Sequence, residues 1–97
     1  MSTMVSLAVF PLDKGESVSP YVARVVRLIR ESGLPHTLGP MGTVIEGGTK
    51  EVMDLVRRCF EDLERDCDRV YMALTADYRK GGEGRIEKKV RSVLDKM

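Results

Sequence analysis

Residues 4–10, MVSLAVF, decide the fold because they define the first strand and both of its faces. The odd positions Val5, Leu7 and Val9 carry branched apolar side chains, whereas the even positions are small, polar or aromatic. This period of two is typical of a β-strand that buries one face. Pro11 follows, and proline cannot donate a hydrogen bond to a strand ladder. The sequence therefore predicts a strand at Met4–Phe10 with its odd-numbered face in the core.

Three helices are predicted further along the chain. The first spans Pro20–Ser32, with Ser19 as its N-cap and Gly33 as the left-handed residue that ends it. A second begins at a capping Thr49 and presents a wide apolar face at helical spacing. A third spans about Arg85–Lys96 and carries only a narrow apolar stripe.

The remaining strand patterns lie between these helices. Two short runs, His36–Leu38 and Thr43–Glu46, flank the turn signal Gly39-Pro40 and predict a hairpin. Alternation returns in Arg69–Arg79, which predicts the last strand. The order β-α-β-β-α-β-α favours an α+β, ferredoxin-like βαββαβ sandwich with a four-stranded antiparallel sheet and an additional C-terminal helix. A chain of 97 residues is interpreted as one domain, 1–97.

Composition excludes several classes of function. Sixteen basic and fifteen acidic residues give a net charge of +1, which disfavours nucleic-acid binding. No apolar run reaches the length of about 18 residues that a membrane helix needs, so no membrane partner is expected. Two cysteines without CxxC spacing predict reduced thiols in a cytoplasmic protein rather than a disulfide scaffold.

The second face of the predicted sheet carries almost no charge. Two helices cover one face, and the other presents small and aromatic side chains where a solvated face would carry lysine, glutamate or arginine. These residues are Met4, Ser6, Ala8, Phe10, Tyr71, Ala73 and Thr75. We expect a homodimer or homotetramer formed through this face. The alternative is that the third helix folds back and covers the face within one chain.

Catalytic and metal-binding patterns are missing from the sequence. His36 is the one histidine, and Cys59 and Cys67 have no ligand partners at metal-site spacing. No nucleophile, base and orienting group occur at a recognisable spacing, so no catalytic residue, metal or cofactor is assigned and the protein is expected not to be an enzyme. An enzyme that uses His36 or Glu46 remains the weakest of the hypotheses.

The glycine-rich segment before the last helix offers a candidate anion site. Lys80 and Arg85 flank residues 80–85, KGGEGR, and backbone N–H groups at a helix start attract phosphate or sulfate. This feature supports an alternative function, an anion-responsive regulatory oligomer. The competing interpretation is that the glycines only turn the chain and the cations are solvated.

Residues 41–48, MGTVIEGG, place a hydroxyl and a carboxylate in an otherwise apolar strand. A carboxylate there must reach water or meet a donor, because burial without a partner costs several kcal/mol. Glu46 could bind a ligand with amino groups or form a salt bridge with an arginine, and the residues alone leave both open.

Four segments together resemble the thiamine-binding-protein (YkoF-like) family of small ferredoxin-like proteins. They are residues 9–12 (VFPL), 17–22 (SVSPYV), 39–47 (GPMGTVIEG) and 68–71 (DRVY). The resemblance implies a cytoplasmic protein that assembles through its sheets and binds thiamine or its hydroxymethylpyrimidine portion without catalysis.

The same resemblance implies a set of ligand-binding residues. Thr43 and Glu46 match the family's threonine and glutamate, and an aminopyrimidine calls for such mixed donors and acceptors. Ser19, Tyr21 and Thr37 are the next candidates. For a thiazolium or pyrophosphate end of the ligand, the candidate partners are Tyr78, Lys80 and Arg85.

Overall fold

The computed structural model describes residues 2–97, and within them the elements follow the predicted order. These elements are β1 (Ser2–Pro11), α1 (Ser19–Ser32), β2 (His36–Gly39), β3 (Gly42–Gly47), α2 (Thr49–Glu64), β4 (Val70–Arg79) and α3 (Arg85–Leu94). The first strand extends beyond the predicted Met4–Phe10 because it pairs with β4 from Ser2 to Pro11. None of the helices in this part of the chain is long and apolar enough to cross a membrane.

The four strands form one antiparallel sheet in the order β2-β3-β1-β4. The central strand β1 places Leu7 opposite Thr43 of β3 and opposite Leu74 of β4. This topology confirms the predicted α+β, ferredoxin-like sandwich with an additional C-terminal helix.

The core lies between the odd-numbered face of β1 and the helices α1 and α2. Val5, Leu7 and Val9 are each less than 5% exposed, as the alternation predicted. Burying one such aliphatic side chain stabilises the fold by about 1.5–3 kcal/mol. The helices contribute further buried side chains to this core, among them Val25, Ile29, Val52, Leu55, Val56, Cys59 and Leu63.

Both predicted N-caps are wrong, although the helices are placed correctly. Helix α1 already includes Ser19, and the carbonyl of Val18 accepts the N–H groups of Tyr21 and Val22. Helix α2 likewise includes Thr49, whose hydroxyl contacts the hydroxyl of Thr3 instead of capping the helix. At the other end of α1, Gly33 adopts the predicted left-handed conformation, with φ 77°.

Helix α3 covers only the end of the second face that carries Ser2, Glu46 and Asp77. It ends at Leu94, shorter than predicted, and only Arg85 among its residues is buried. Val90, Val93 and Leu94 are about 60% exposed, and Tyr71 on the sheet is 50% exposed. The alternative in which α3 shields the whole face is therefore wrong, because Ser6, Tyr71, Ala73 and Thr75 stay exposed beyond the end that it covers. From here on, the open face means Met4, Ser6, Ala8, Phe10, Tyr71, Ala73 and Thr75.

Candidate functional site

A cavity of about 220 Å³ lies between α1, the β2–β3 hairpin and the end of β1. Valines at helical spacing form its helix wall, namely Val18, Val22, Val25 and Val26. Leu7 and Val9 form the floor, and Leu38, Pro40 and Met41 close the hairpin side. No charged side chain lines it in the part of the chain that the structure describes, so the cavity suits an uncharged group.

Thr43 supplies the one polar side chain in this cavity wall, counted over residues 2–97. The residue is 4% exposed and lies opposite Leu7, on the core side of β3. Within the same residues its hydroxyl has no hydrogen-bond partner. Every fully enclosed side-chain polar atom there does have a partner, so the Thr43 hydroxyl is not fully enclosed. The hydroxyl oxygen therefore opens into the cavity, where a bound molecule could give or accept a hydrogen bond.

Ser19 lies in a groove that adjoins the cavity. It lines a larger groove along α1 that shares Val18, Val22, Leu38 and Pro40 with the cavity. A ligand that fills the cavity can thus extend past Ser19 into a water-exposed groove. Thr43 lines the cavity and Ser19 lines the adjoining groove.

Tyr21 and Thr37 lie elsewhere. Tyr21 packs against the core, and the Arg24 guanidinium stands 5.6 Å from its ring centroid. Arg24 in turn pairs with Asp62 of α2, which places this cluster between the two helices. Thr37 lies opposite Val44, so its side chain belongs to the other face of the sheet. Neither residue lines the cavity.

Glu46 also lies away from Thr43, because three residues along a strand separate opposite faces. It is 3% exposed and accepts hydrogen bonds from the backbone N–H groups of Arg85, at 2.9 and 3.1 Å, and of Ile86, at 3.3 Å. These are the first N–H groups of α3, so the carboxylate caps that helix. The sequence left open whether Glu46 binds a ligand with amino groups or forms a salt bridge with an arginine. Within the chain, the observed partner is Arg85.

The electrostatics of Glu46 are set by two opposing effects. Burial alone would raise the pKa of its carboxyl. Hydrogen bonds from the backbone of Arg85, the hydroxyl of Ser2 and the backbone of Ile86, together with the Arg85 charge, outweigh burial and lower the pKa below its ordinary value of 4.5. The carboxylate is therefore ionised at neutral pH.

Arg85 is 5% exposed and its donors are engaged within the chain. Its guanidinium donates to the hydroxyl and carbonyl of Ser2 at 2.9 and 3.0 Å, and to the carboxylate of Asp77 at 3.0 Å. The predicted anion site thus already holds an anion, the Glu46 carboxylate. Lys80 is exposed and forms no ion pair among residues 2–97.

His36 and the cysteines take structural positions. The ring nitrogen Nδ1 of His36 lies 2.9 Å from the carbonyl of Leu34. Cys59 and Cys67 are both buried free thiols, and burial raises the pKa of the Cys59 thiol to about 11. Such a thiol is inert at neutral pH.

The cavity walls include residues that sequence reasoning assigned only to the core. The signal was present in Val18, Val22 and Val26, which recur every four residues and continue the helix stripe back into the loop. Periodicity predicts that such an apolar stripe is buried against another element. It does not show that the β2–β3 hairpin packs over the stripe with a cavity between them.

The fold and the cavity together define a class: a ferredoxin-like domain whose core opens into an apolar pocket with one unpaired hydroxyl. Comparison with known proteins specifies the family. The chain belongs to the thiamine-binding protein family, whose model matches residues 5–94. This confirms the resemblance seen in the sequence.

Relatives align along most of their length. A UPF0045 protein of Mycobacterium bovis is 39% identical over 94 residues, which cover 96% of this chain and 92% of the relative. A UPF0045 protein of Methanocaldococcus jannaschii is 32% identical and is covered to 90%, with 93% of this chain aligned.

Solved structures share the whole fold. The crystal structure of a hypothetical protein of Methanocaldococcus jannaschii matches with a TM-score of 0.88 and 32% identity, over 95% of each chain. A protein of Thermotoga maritima, assigned provisionally to thiamine biosynthesis or salvage, matches with a TM-score of 0.84 and 30% identity, over 96% of this chain and 99% of that one.

Proposed function

We propose that this protein binds thiamine or its hydroxymethylpyrimidine moiety without catalysis, and that the pyrimidine ring enters the cavity beside Thr43. The observation that carries the proposal is the unpaired hydroxyl of Thr43 in an otherwise apolar cavity wall. Family membership supplies the ligand class.

The size and charge of the cavity support the ring rather than the whole of thiamine as the buried part. Its volume of about 220 Å³ lies below the ~300–1,000 Å³ typical of pockets for drug-sized ligands. No charged side chain faces it among residues 2–97, so a cationic thiazolium would have no partner inside. That end of thiamine would extend past Ser19 into the outer groove.

Calorimetric titration with thiamine and with hydroxymethylpyrimidine tests the site directly. Substituting Thr43→Val keeps the shape and removes the hydroxyl, so affinity should fall about 5–30-fold, the equivalent of one buried hydrogen bond. Thr37→Val is the matched control, because Thr37 lies on the other face of the sheet, and it should leave affinity unchanged. Absence of both heat and thermal shift with wild-type protein at millimolar ligand would refute the proposal.

The open face supports a second part of the proposal, association of copies of this chain into a dimer or tetramer. Ser6, Tyr71, Ala73 and Thr75 are exposed there, and none of them carries a charge. Side chains of this kind pack well against a second sheet. The alternative function, an anion-responsive regulatory oligomer, has weaker support because the donors of Arg85 already serve Glu46, Ser2 and Asp77.

A further inference from the structure

The cavity wall also contains a stretch of main chain that no strand pairs. The β1–β3 ladder runs from Thr3 opposite Gly47 to Leu7 opposite Thr43 and stops there. On its other side β1 stays paired with β4 as far as Pro11 opposite Val70. Beyond Leu7, β1 therefore has a free edge facing the hairpin turn.

The register shows which residue presents its polar groups along that edge. In an antiparallel sheet, alternate residues turn both N–H and C=O to the same neighbour. The Leu7 carbonyl faces β3, since it lies 2.8 Å from where a Cβ on Gly42 would be. Val9 is two residues further on and turns its N–H and C=O the same way.

The register points these Val9 groups toward the side of β1 where the cavity lies, beyond the last residue pair of the β1–β3 ladder. Val9 is 4% exposed and lines the cavity, and across residues 2–97 no backbone hydrogen bond joins it to the hairpin turn. Buried main-chain donors and acceptors without partners are rare in folded proteins. The neighbouring N–H donor and C=O acceptor in an apolar pocket are complementary to a ligand edge that carries an acceptor next to a donor.

Resting on the proposed function, we infer that the main-chain N–H and C=O of Val9 recognise the amino edge of the pyrimidine. A ring nitrogen accepts from the Val9 N–H, and the adjacent exocyclic amine donates to the Val9 carbonyl. The ring thereby hydrogen-bonds to the part of the β1 edge that β3 leaves unpaired. The Thr43 hydroxyl hydrogen-bonds to the ring from the β3 side. The class of ligand is a planar, uncharged heterocycle with an acceptor next to an amine.

Two probes separate this inference from the proposed function: 4-amino-5-hydroxymethyl-2-methylpyrimidine and the same molecule without the 4-amine. The 4-amine is the donor to the Val9 carbonyl. Without the amine this carbonyl would stay buried and unpaired, so binding should weaken about tenfold or more. In ¹⁵N-labelled protein, the Val9 amide should shift downfield and become protected from exchange when the aminopyrimidine binds, because the ring nitrogen accepts from its N–H.

The Thr43→Val variant tests whether the Thr43 hydroxyl or the Val9 carbonyl binds the amine. It should bind both probes more weakly yet keep the same ratio between them, because the main chain of Val9 is intact. Loss of that ratio in the variant, equal affinity of the wild type for both probes, or an unshifted Val9 amide in a bound complex would overturn the inference and leave the proposed function standing. If neither probe binds the wild type, the proposed function falls and this inference falls with it.

Discussion

At Gly42 the backbone excludes any larger residue, and this residue shapes the cavity mouth. Its φ of 151° is a conformation that L side chains rarely adopt, and a Cβ would lie 2.8 Å from the Leu7 carbonyl oxygen. The absence of a side chain lets the hairpin approach β1 closely, just where the ladder ends.

Substituting Gly42→Ala should lower the free energy of unfolding by about 1–3 kcal/mol, since the strain and the clash have no nearby space to relax into. Urea denaturation measures the effect. Gly81→Ala is the control, because a Cβ there meets nothing within 4 Å and Gly81 has no positive φ; it should change stability by less than about 0.5 kcal/mol. Equal midpoints for the two variants would contradict this account.

At the scale of elements, α3 is held to the domain mainly by polar contacts. Glu46 caps its first N–H groups, and the Arg85 guanidinium bonds to Ser2 and Asp77. Lys89 adds an exposed contact to Asp77 at 3.1 Å. With Val90 and Val93 left about 60% exposed, apolar packing contributes little to its docking.

Docking of α3 should therefore depend on the charge of Glu46. Because the folded pKa is lowered below 4.5, its stabilising contribution is present above that ordinary value and is lost as the pH falls through the folded pKa. Amide protection in α3, corrected for intrinsic exchange, should fall in that acid range while protection of β1 persists.

The variant Glu46→Gln should reproduce the acid state at neutral pH. It replaces a charge-assisted cap by a neutral one, so α3 amides should exchange about 5–30-fold faster, corresponding to ~1–2 kcal/mol. Glu87→Gln is the matched control, since Glu87 is exposed in the first turn of α3 and makes none of these bonds. Unchanged protection in Glu46→Gln would show that the charge of Glu46 does not hold the helix.

At the scale of the whole molecule, the uncovered open face suggests how a small chain gains stability. A chain of 97 residues buries a modest fraction of its surface, and the proposed association would add buried apolar area. Phe10 and Tyr71 already pack together on this face, with ring centroids 5.5 Å apart. They would form the aromatic part of an interface.

Light scattering at micromolar concentration should give a mass of at least two chains for the wild type. Ala73→Arg places an unpaired charge on the open face, opposite Ala8, and should reduce the mass to that of one chain, 10.9 kDa. Ser17→Arg adds the same charge in an exposed loop and should leave the assembly intact. A monomeric wild type would rule out association, and an unaffected Ala73→Arg would place the interface elsewhere.

Much of the fold was predictable because it depends on local patterns. The odd face of β1, the β2–β3 hairpin and the left-handed Gly33 all follow from periodicity or backbone preference over a few residues. The N-caps were missed because Ser19 and Thr49 each carry a plausible capping side chain, whereas a preceding carbonyl of Val18 or Gly48 begins the helix.

The sequence by itself determined the order of elements, the buried face of β1 and the family, because these depend on hydrophobic period and on short motifs. Only the tertiary structure decided which polar residues share a site. Thr43 and Glu46 are neighbours in sequence, yet the pleat sends one to the cavity and the other to a helix start 39 residues away. The physical reason is that a site forms between elements distant in the chain, and their packing leaves no local signal.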